Sequence, residues 1–457
     1  MKYFAAFGVA LALAIAALPA HADPLDHLQR YIAIDTTNPP GNEALGVAFF
    51  AAIFDDAGIE YEAVESAPGR GNIWARLPGG DEPGLILLHH MDVVPASADA
   101  WQSDPLKPTV HDGALYGRGA IDAKSLGIAH LEAFLALHRS GVRPNRDIVF
   151  MATADEEAGG LFGAGWLVRN RPELFDGIGY LLNEGGAVLA TEAHVRVKIE
   201  TAQKRPYWLR LIATDEPGHG SSPRAHSATT RLVTALHNID AQPFAPRITA
   251  PVRAMMAALA AYVEPQWQAA LADIDAAILE PGFLDRLQAE KHRWHALLRN
   301  TCSITVLNGS AKINVVPASA SAELDCRILP DQDTGEFVTA LASRIADEHV
   351  KIEEIMLFAP AESSPDTPLY RLLAAKSREH YPGAGVLPSV STGFTDSHFF
   401  REIGIASYGY GPFLLPEATL GSVHGNNERI VIENFHKGVA LMREIVAEFA
   451  GITLTEE

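Results

Sequence analysis

The chain has 457 residues, of which 48% are hydrophobic and 20% are charged, a composition typical of a globular protein large enough for two or three domains. Its net charge of −20 argues against nucleic acid or an anionic membrane surface as a partner. Bound divalent cations would offset part of this negative charge.

Residues 1–22 have the features of a secretory signal peptide. Lys2 supplies a short basic region, residues 4–18 form an apolar core, and Ala20-His21-Ala22 has the small-x-small form of a cleavage site. The apolar run of about 15 residues is shorter than the roughly 20 that a bilayer requires, although an uncleaved anchor is an alternative interpretation. We therefore expect an exported protein with no stable membrane anchor after cleavage, either periplasmic or secreted.

Residues 23–201 alternate predicted helices with short predicted strands. Continuous apolar runs such as Leu85 to Leu88 are typical of strands covered on both faces, and such strands form mostly parallel sheets in α/β domains. We predict strands at residues 73–77, 85–89, 147–153 and 178–182, and a helix at residues 123–138.

Residues 202–360 follow a different pattern, which predicts a two-layer α+β domain inserted into the first one. We predict strands at residues 207–214, 301–307, 311–316, 319–328 and 351–357, a turn at Asn308-Gly309, and helices at residues 225–238 and 336–349. The α/β pattern resumes over residues 361–457, with a helix at residues 370–380, and this part completes the first domain.

A helical insertion occupies residues 250–300 of the inserted domain. Large apolar residues recur there at roughly helical spacing, namely Met255, Met256, Tyr262, Trp267, Leu279, Phe283, Leu287, Trp294 and Leu298. The first interpretation is that they pack the insertion onto its neighbours. The second is that some of them line an apolar pocket for an acyl group.

The only two cysteines, Cys302 and Cys326, lie in predicted strands of one β-meander. In an oxidising compartment they could form one disulfide, and two buried free thiols are the alternative. The spacing of the two residues does not decide between these states.

Five short motifs rich in His, Asp and Glu occur along the chain. They are His90-Met91-Asp92, Gly117-Arg118-Gly119-Ala120-Ile121-Asp122, Asp155-Glu156-Glu157, Glu184-Gly185-Gly186 and His424-Gly425-Asn426-Asn427-Glu428. Three of them follow a predicted buried strand, and the carboxyl ends of strands in an open α/β sheet meet in one crevice. One such motif alone is usually a turn or a solvated helix start, but together they predict a shared site.

Imidazole and carboxylate side chains are ligands that suit Zn²⁺, and a shared carboxylate can hold two ions roughly 3.5–4 Å apart. The ordered motifs closely resemble the aminoacylase/carboxypeptidase family of di-zinc metallohydrolases, over nearly all of the chain after residue 22. Asp92-Val93-Val94-Pro95 and the long helical insertion favour the branch of carboxypeptidase S and the N-fatty-acyl-amino-acid hydrolases.

This resemblance implies an α/β fold with a mostly parallel-sheet zinc-peptidase catalytic domain, formed by residues 23–201 and 361–457. The inserted two-layer α+β domain at residues 202–360 would be its lid. Lids of dimeric family members also pair with each other. The resemblance therefore leaves a monomer and a homodimer formed through the lid as alternatives.

The resemblance also implies the ligands of two Zn²⁺ ions, with Co²⁺ or Mn²⁺ as alternative metals. Asp122 would bridge the two ions. His90 and Glu184 would complete the first site, and Glu157 and His424 would complete the second.

Five further residues acquire roles from the resemblance. Asp92 would orient the imidazole of His90, and Glu156 would be the general base that moves a proton from the attacking water to the leaving amine. His219 would steady the oxyanion, although a surface turn histidine is the alternative. Asn314 and Arg327 would hold a substrate carboxylate, for which the alternative role of Arg327 is a salt bridge within the lid.

The predicted function is hydrolysis of an amide bond whose leaving amine is an amino acid with a free carboxylate. The acyl side would be another amino acid, as in a carboxypeptidase or dipeptidase, or an acetyl or fatty group, as in an aminoacylase. The expected partner is therefore a small molecule or short peptide. The alternatives are an amidohydrolase acting on a small non-peptide amide and a non-enzymatic protein that binds N-acyl amino acids.

Overall fold

The computed structural model of the chain describes residues 22–191 and 193–454. The predicted signal peptide lies outside these residues, apart from Ala22 at its end. Within the described ranges, no helix combines the length and the apolar character needed to cross a membrane.

The described chain forms nineteen strands and fourteen α-helices. The strands are β1 Tyr61–Ala67, β2 Arg70–Leu77, β3 Glu82–His90, β4 Thr109–His111, β5 Ala114–Tyr116, β6 Arg146–Thr153, β7 Ile178–Asn183, β8 Ala187–Ala190, β9 Val195–Gln203, β10 Arg205–Thr214, β11 Gly218–His219, β12 Thr301–Asn308, β13 Val315–Val316, β14 Ser319–Ile328, β15 Val350–Leu357, β16 Gly385–Ser391, β17 Ala406–Gly409, β18 Leu414–Pro416 and β19 Arg429–Val431. The helices are α1 Pro24–Ile32, α2 Glu43–Ala57, α3 Lys124–Ser140, α4 Ala164–Asn170, α5 Ala228–Ala241, α6 Ala250–Leu259, α7 Pro265–Ala272, α8 Ile274–Ala277, α9 Phe283–Glu290, α10 His292–Leu297, α11 Thr334–Ile345, α12 Pro368–His380, α13 Ser397–Glu402 and α14 Ile432–Phe449.

A ten-stranded sheet forms the centre of the larger unit, in the order β1-β2-β6-β3-β7-β17-β9-β8-β18, with β16 also paired to β9. The central strands β6, β3, β7 and β17 are parallel to one another. Residues Leu85 to Leu88 of β3 are fully buried, as their apolar run predicts. The predicted α/β class with a mostly parallel sheet is therefore confirmed.

A four-stranded antiparallel sheet, in the order β12-β14-β10-β15, forms the smaller unit, which we call the lid. Helices α5 and α11 cover one face of this sheet, where Leu209, Leu211 and Leu324 are buried with Phe337 and Leu341. Side chains alternate between the two faces of a strand, so β10 and β14 present a second, more open face. This arrangement is a two-layer α+β structure.

The prediction of a strand at residues 311–316 within the meander is wrong. Only Val315–Val316 is extended, and it pairs with β11 rather than with the four-stranded sheet, while β12 pairs directly with β14. The physical reason is that the segment has no apolar face to bury: Ile313, its central apolar residue, is fully exposed. The single turn predicted at Asn308-Gly309 is accordingly part of a longer connection.

The helical insertion packs mainly against itself and against β16 of the large sheet. Most of its large apolar residues lie in one buried cluster with Leu387 and Val390 of β16. Leu279 is the exception, because its side chain is 80% exposed. The structure therefore favours packing over an acyl pocket as the role of these residues.

Cys302 of β12 lies opposite Cys326 of β14, and the two residues form a disulfide. The free-thiol alternative does not hold in this structure. Because the bond joins the edge strand β12 to its neighbour, it fixes that edge of the lid sheet.

Candidate metal centre

Adjacent parallel strands bring three of the five motifs to one edge of the large sheet. His90 is the last residue of β3, Glu156 and Glu157 follow the end of β6, and Glu184 follows the end of β7. Since β6, β3 and β7 are neighbours in the sheet, their carboxyl ends lie side by side. The strand order of the sheet therefore brings three motifs together that are far apart in the sequence.

Asp122 lies at the centre of the cluster and faces a different histidine with each carboxylate oxygen. Its Oδ1 is 3.0 Å from Nε2 of His90, and its Oδ2 is 3.0 Å from Nε2 of His424. One carboxylate oriented in this way can serve two metal ions at the same time. The bridging role that the resemblance implies for Asp122 stays a prediction, and this geometry is the one it requires.

The other two ligand candidates each lie close to one histidine of the cluster. Glu184 Oε1 is 3.7 Å from Nε2 of His90, and Glu157 Oε1 is 3.2 Å from Nε2 of His424. The structure thus brings all five proposed ligands together, in two groups that share Asp122. Two imidazoles and three carboxylates fit the ligand preferences of Zn²⁺.

Asp92 is fully buried and connects His90 to the Glu156-Glu157 turn. The ring of His90 donates from Nδ1 to the backbone oxygen of Asp92 at 2.9 Å, which leaves Nε2 free to bind a metal. The carboxylate of Asp92 accepts from the backbone N–H groups of Glu156 and Glu157, both at 3.1 Å. Burial opposes ionisation of Asp92, but the hydrogen bond and charge of His90 outweigh it and lower the pKa of the carboxyl.

Glu156 is buried beside the ligand cluster. Its carboxylate lies within 4.8 Å of ligand atoms of His90 and Glu184. Burial, together with the negative charge of Glu184, raises the pKa of Glu156 well above its usual value. A carboxyl group that binds a proton readily at this position suits the predicted role of general base.

His424 forms charged hydrogen bonds with Asp122 and Glu157, and these contacts shift the pKa values of the residues involved. Hydrogen bonds to Asp122 and Glu157 raise the pKa of His424 to about 10. Burial raises the pKa of Glu157 to about 7. For Asp122, burial opposes ionisation, but the hydrogen bonds from His424 and His90 prevail and lower its pKa. A divalent cation would replace the proton of the imidazolium and retain the neighbouring carboxylates as ligands.

Glu428 was not assigned a role from the sequence, although it closes the fifth motif. It is fully buried and accepts four hydrogen bonds: from Nη1 of Arg118 at 2.7 Å and from the backbone N–H groups of Gly119 at 3.0 Å, Ile121 at 2.7 Å and Asp122 at 3.0 Å. Glu428 therefore holds the loop that carries Asp122. Its position four residues after His424 was the available sequence signal.

A second buried network reaches Asp92 from the N-terminal part of the chain. Arg70 donates from Nη1 to Glu43 at 2.7 Å and from Nη2 to Asn38 at 2.8 Å, and Asn38 donates to Asp92 at 2.8 Å. No motif of the sequence marked Asn38, Arg70 or Glu43, because their partners are distant along the chain.

His219 and Asn314 lie together on a small ribbon of the lid. The ribbon pairs β11 with β13, and the N–H of Gly220 donates to the backbone oxygen of Asn314 at 3.0 Å. Both residues are exposed, and Nδ1 of His219 lies 2.7 Å from Oγ of Ser221. Among the described contacts, none joins His219 or Asn314 to the five ligand candidates.

Arg327 lies on the open face of the lid sheet and is partly paired. Its Nε donates to Oδ1 of Asp325 at 2.7 Å, which is the salt bridge foreseen as its alternative role. Its Nη1 is buried and has no hydrogen-bond partner within the described residues. The guanidinium also lies 5.4 Å from the ring centre of Phe394, which belongs to the large unit. One nitrogen of Arg327 is therefore a buried donor without a protein partner among the described residues, and a guanidinium donor suits a carboxylate.

Comparison with known proteins gives one matching family model and many relatives. The model described as "Peptidase family M20/M25/M40" matches residues 86–448. Over 391 residues the chain is 28% identical to N-fatty-acyl-amino acid synthase/hydrolase PM20D1 of Xenopus tropicalis, a match that covers 83% of this chain and 75% of the relative. It is also 28% identical to human aminoacylase-1 over 432 residues, which covers 93% and 94% of the two chains.

Solved structures show the same fold at lower identity. An M20 family metallo-carboxypeptidase, Sso-CP2 from Sulfolobus solfataricus, superposes with a TM-score of 0.74 at 17% identity, covering 94% of this chain and all of the other. Human carnosine dipeptidase 1 superposes with a TM-score of 0.66 at 17% identity, covering 94% and 96%.

Proposed function

Because the chain belongs to peptidase family M20/M25/M40, for which metal-dependent amide hydrolysis is the supported chemistry, we propose that it is a zinc-dependent enzyme releasing an amino acid with a free carboxylate. The observation that carries this proposal is Asp122, whose two carboxylate oxygens each lie 3.0 Å from the Nε2 atom of a different histidine. That geometry suits two metal ions sharing one carboxylate.

The residues around this centre divide the chemical work. When bound, the metal ions would supply Lewis acidity towards the amide carbonyl and towards water. Glu156 would take a proton from the attacking water and deliver it to the leaving amine, a role favoured by its raised pKa. Asp92 would hold both the His90 ring and the backbone of Glu156, which keeps the base and a ligand in fixed relation.

The proposed substrate is an N-acyl amino acid or a short peptide. The free Nη1 of Arg327 supports recognition of a carboxylate, and Asn314 would assist from the lid ribbon. The relatives named aminoacylase-1 and PM20D1, and the neighbour named carnosine dipeptidase 1, support cleavage of amides that contain an amino acid.

We also propose that the enzyme forms a homodimer through the lid, which would bring His219 of one chain to the metal centre of the other. Among residues 22–191 and 193–454, no strand pairs with the outer side of the edge strand β12. This strand exposes Ile304, Val306 and Leu307, a surface suited to association. His219 has no contact with the ligand cluster of its own chain among the described residues, which supports a contribution from outside.

Export to the periplasm or the medium is proposed from the first 22 residues. The disulfide between Cys302 and Cys326 supports this location, because such bonds persist mainly in oxidising compartments.

The primary test is hydrolysis by zinc-loaded protein of two panels, unblocked dipeptides and N-acetyl to N-oleoyl amino acids. We expect release of the free amino acid from at least one panel, and loss of that activity in Glu156→Gln with zinc still bound. If the wild-type protein is inactive on both panels, the proposed activity is wrong, and the alternatives of a non-peptide amide or a binding protein gain support.

The trans contribution of His219 has a separate test. Chains carrying His219→Ala and chains carrying Glu156→Gln are each expected to be inactive alone. Mixed dimers would contain one centre with an intact Glu156 and an intact His219 from its partner, so activity should return on mixing. Continued inactivity of verified mixed dimers would contradict the proposed exchange.

A further inference from the structure

The open face of the lid sheet contains a cavity whose lining includes none of the candidate metal ligands. Its volume is about 380 Å³, and we call it the lid groove. It is lined by residues of all four strands of the sheet, including Trp208, Arg210, Thr305, Glu323, Asp325 and Ile355. This volume lies within the range of about 300–1,000 Å³ that is common for small-molecule sites.

Two β-bulges shape the walls of the lid groove. In β12, Ile304 pairs with Leu324 and Val306 pairs with Glu323, so Thr305 is the extra residue. In β15, Met356 pairs with Trp208 and Glu354 pairs with Leu209, so Ile355 is the extra residue.

Both extra residues line the groove, one from each edge strand of the sheet. A bulge changes the direction of a side chain, and bulges occur often beside functional sites. Two of them acting on one cavity indicate a shaped site rather than an incidental depression.

The lid groove lies beside the residues that would hold and cleave the substrate. Asp325, in its lining, accepts from Arg327 at 2.7 Å and from Nε1 of Trp208 at 2.8 Å. Met356, which is paired with Trp208, lies against Gly159, because a β-carbon placed on that glycine would be 3.3 Å from the Met356 sulfur. Gly159 follows the metal-ligand candidate Glu157 by two residues. The groove therefore begins beside Arg327, the residue proposed to hold the substrate carboxylate. Its Trp208 wall is connected through Met356 to the turn that carries Glu157.

The charged groups of the groove neutralise one another. Arg210 donates to Glu323 at 2.7 Å, and Asp325 is held by Arg327 and Trp208. The hydroxyl of Thr305 donates to the backbone oxygen of Glu323 at 3.2 Å, so its polar atom is also engaged. Trp208 is half-buried and packs in part against the cluster that contains Phe358, and the rest of it lines the groove. That part of Trp208 remains for a ligand, together with the side chain of Ile355, which is 44% exposed.

We propose that the lid groove receives the side chain of the leaving amino acid and selects a bulky, uncharged one, aromatic or branched aliphatic. This inference rests on the proposed function, in which Arg327 holds the carboxylate of that same amino acid. With the carboxylate at Arg327, a side chain of the size of Phe or Leu would extend past Asp325 onto Trp208. A charged side chain would have to break the Arg210–Glu323 or Arg327–Asp325 pair in order to enter.

The test compares kcat/KM for N-acetyl derivatives of Gly, Ala, Leu, Phe, Asp and Lys. The wild-type enzyme is expected to prefer Phe and Leu over Gly. In Trp208→Ala, the ratio of the Phe to the Gly value should fall by about 10- to 100-fold. Loss of the Trp208 hydrogen bond to Asp325 acts on all substrates alike, so it changes both values but not their ratio. Trp208→Phe keeps an apolar wall without the hydrogen bond to Asp325 and should retain most of the preference.

Ile355→Ser gives a second, independent variant that leaves Trp208 in place and should weaken the same preference. Val233→Ala is the matched control, because Val233 is another β-branched residue, 58% exposed, outside the groove lining. Unchanged Phe-to-Gly ratios in Trp208→Ala and Ile355→Ser would overturn the inference while leaving amide hydrolysis intact. If the wild-type protein hydrolyses neither these derivatives nor any member of the dipeptide and N-acyl amino acid panels, the proposed function is overturned, and this inference with it.

Discussion

Glu428→Gln tests whether Glu428 holds the loop that carries Asp122, the proposed bridging ligand. Oε1 and Oε2 of Glu428 each accept two hydrogen bonds, from Ile121 and Asp122 and from Arg118 and Gly119 respectively. Gln has the same shape but replaces one oxygen by a donor, so two of the four donors lose their acceptor. The substitution also leaves Arg118, which is 2% exposed, without its charge partner.

The magnitude follows from these contacts. Two hydrogen bonds to a buried charge, at about 1.5–3 kcal/mol each, give a loss of about 3–6 kcal/mol. Breaking a buried ion pair by removing one partner costs about 3–5 kcal/mol, and the two figures describe the same loss. Because Asp122 is displaced with its loop, zinc affinity should also fall, by about 10- to 100-fold.

The assay combines denaturant unfolding with a competitive zinc titration of the folded protein. Glu433→Gln is the matched control, because Glu433 is a solvent-exposed Glu in α14 that forms a salt bridge with Lys437 at the protein surface. If Glu428→Gln unfolds like the control and binds zinc with unchanged affinity, Glu428 does not hold the Asp122 loop.

Three other predictions concern the same centre. Glu156→Gln should lower kcat by about 100- to 10,000-fold with zinc content and KM nearly unchanged, as steady-state kinetics and metal analysis would show, and loss of zinc would instead make Glu156 a ligand. Removal of metal by a chelator should abolish hydrolysis, and zinc should restore it in the wild type but not in His424→Ala, so full recovery of that variant would exclude His424 as a necessary ligand. In the metal-free protein, the folded-state pKa of His424 is raised from 6.5 to about 10, first by its hydrogen bond to Asp122. The pair with Asp122 therefore stabilises fully below about pH 6.5 and loses this effect as pH rises through about 10. The difference in unfolding free energy between metal-free wild type and His424→Gln should therefore shrink from pH 6 to pH 10.5, and a constant difference would contradict the pairing.

The candidate ligands could be proposed from the sequence because each belongs to a short motif, and the ordered motifs resemble those of a known family. The fold class was equally accessible, since fully buried parallel strands such as β3 require continuous apolar runs.

Features that depend on contacts between distant segments were not accessible. Glu428 acts through backbone N–H groups more than 300 residues away in the chain, and their approach is fixed only by the tertiary fold. The bulges at Thr305 and Ile355 shift the register by one residue, which composition does not reveal. The segment around Ile313 was predicted as a strand of the meander, but this residue is solvent-exposed in the structure.

Zinc stoichiometry of the wild-type protein and of Asp122→Ala tests the central claim most directly. After loading and removal of free metal, the wild type should retain two zinc ions per chain. Asp122→Ala should retain at most one, because the carboxylate that serves both groups is gone. Two tightly bound ions in Asp122→Ala, or only one in the wild type, would contradict a centre built around a shared Asp122.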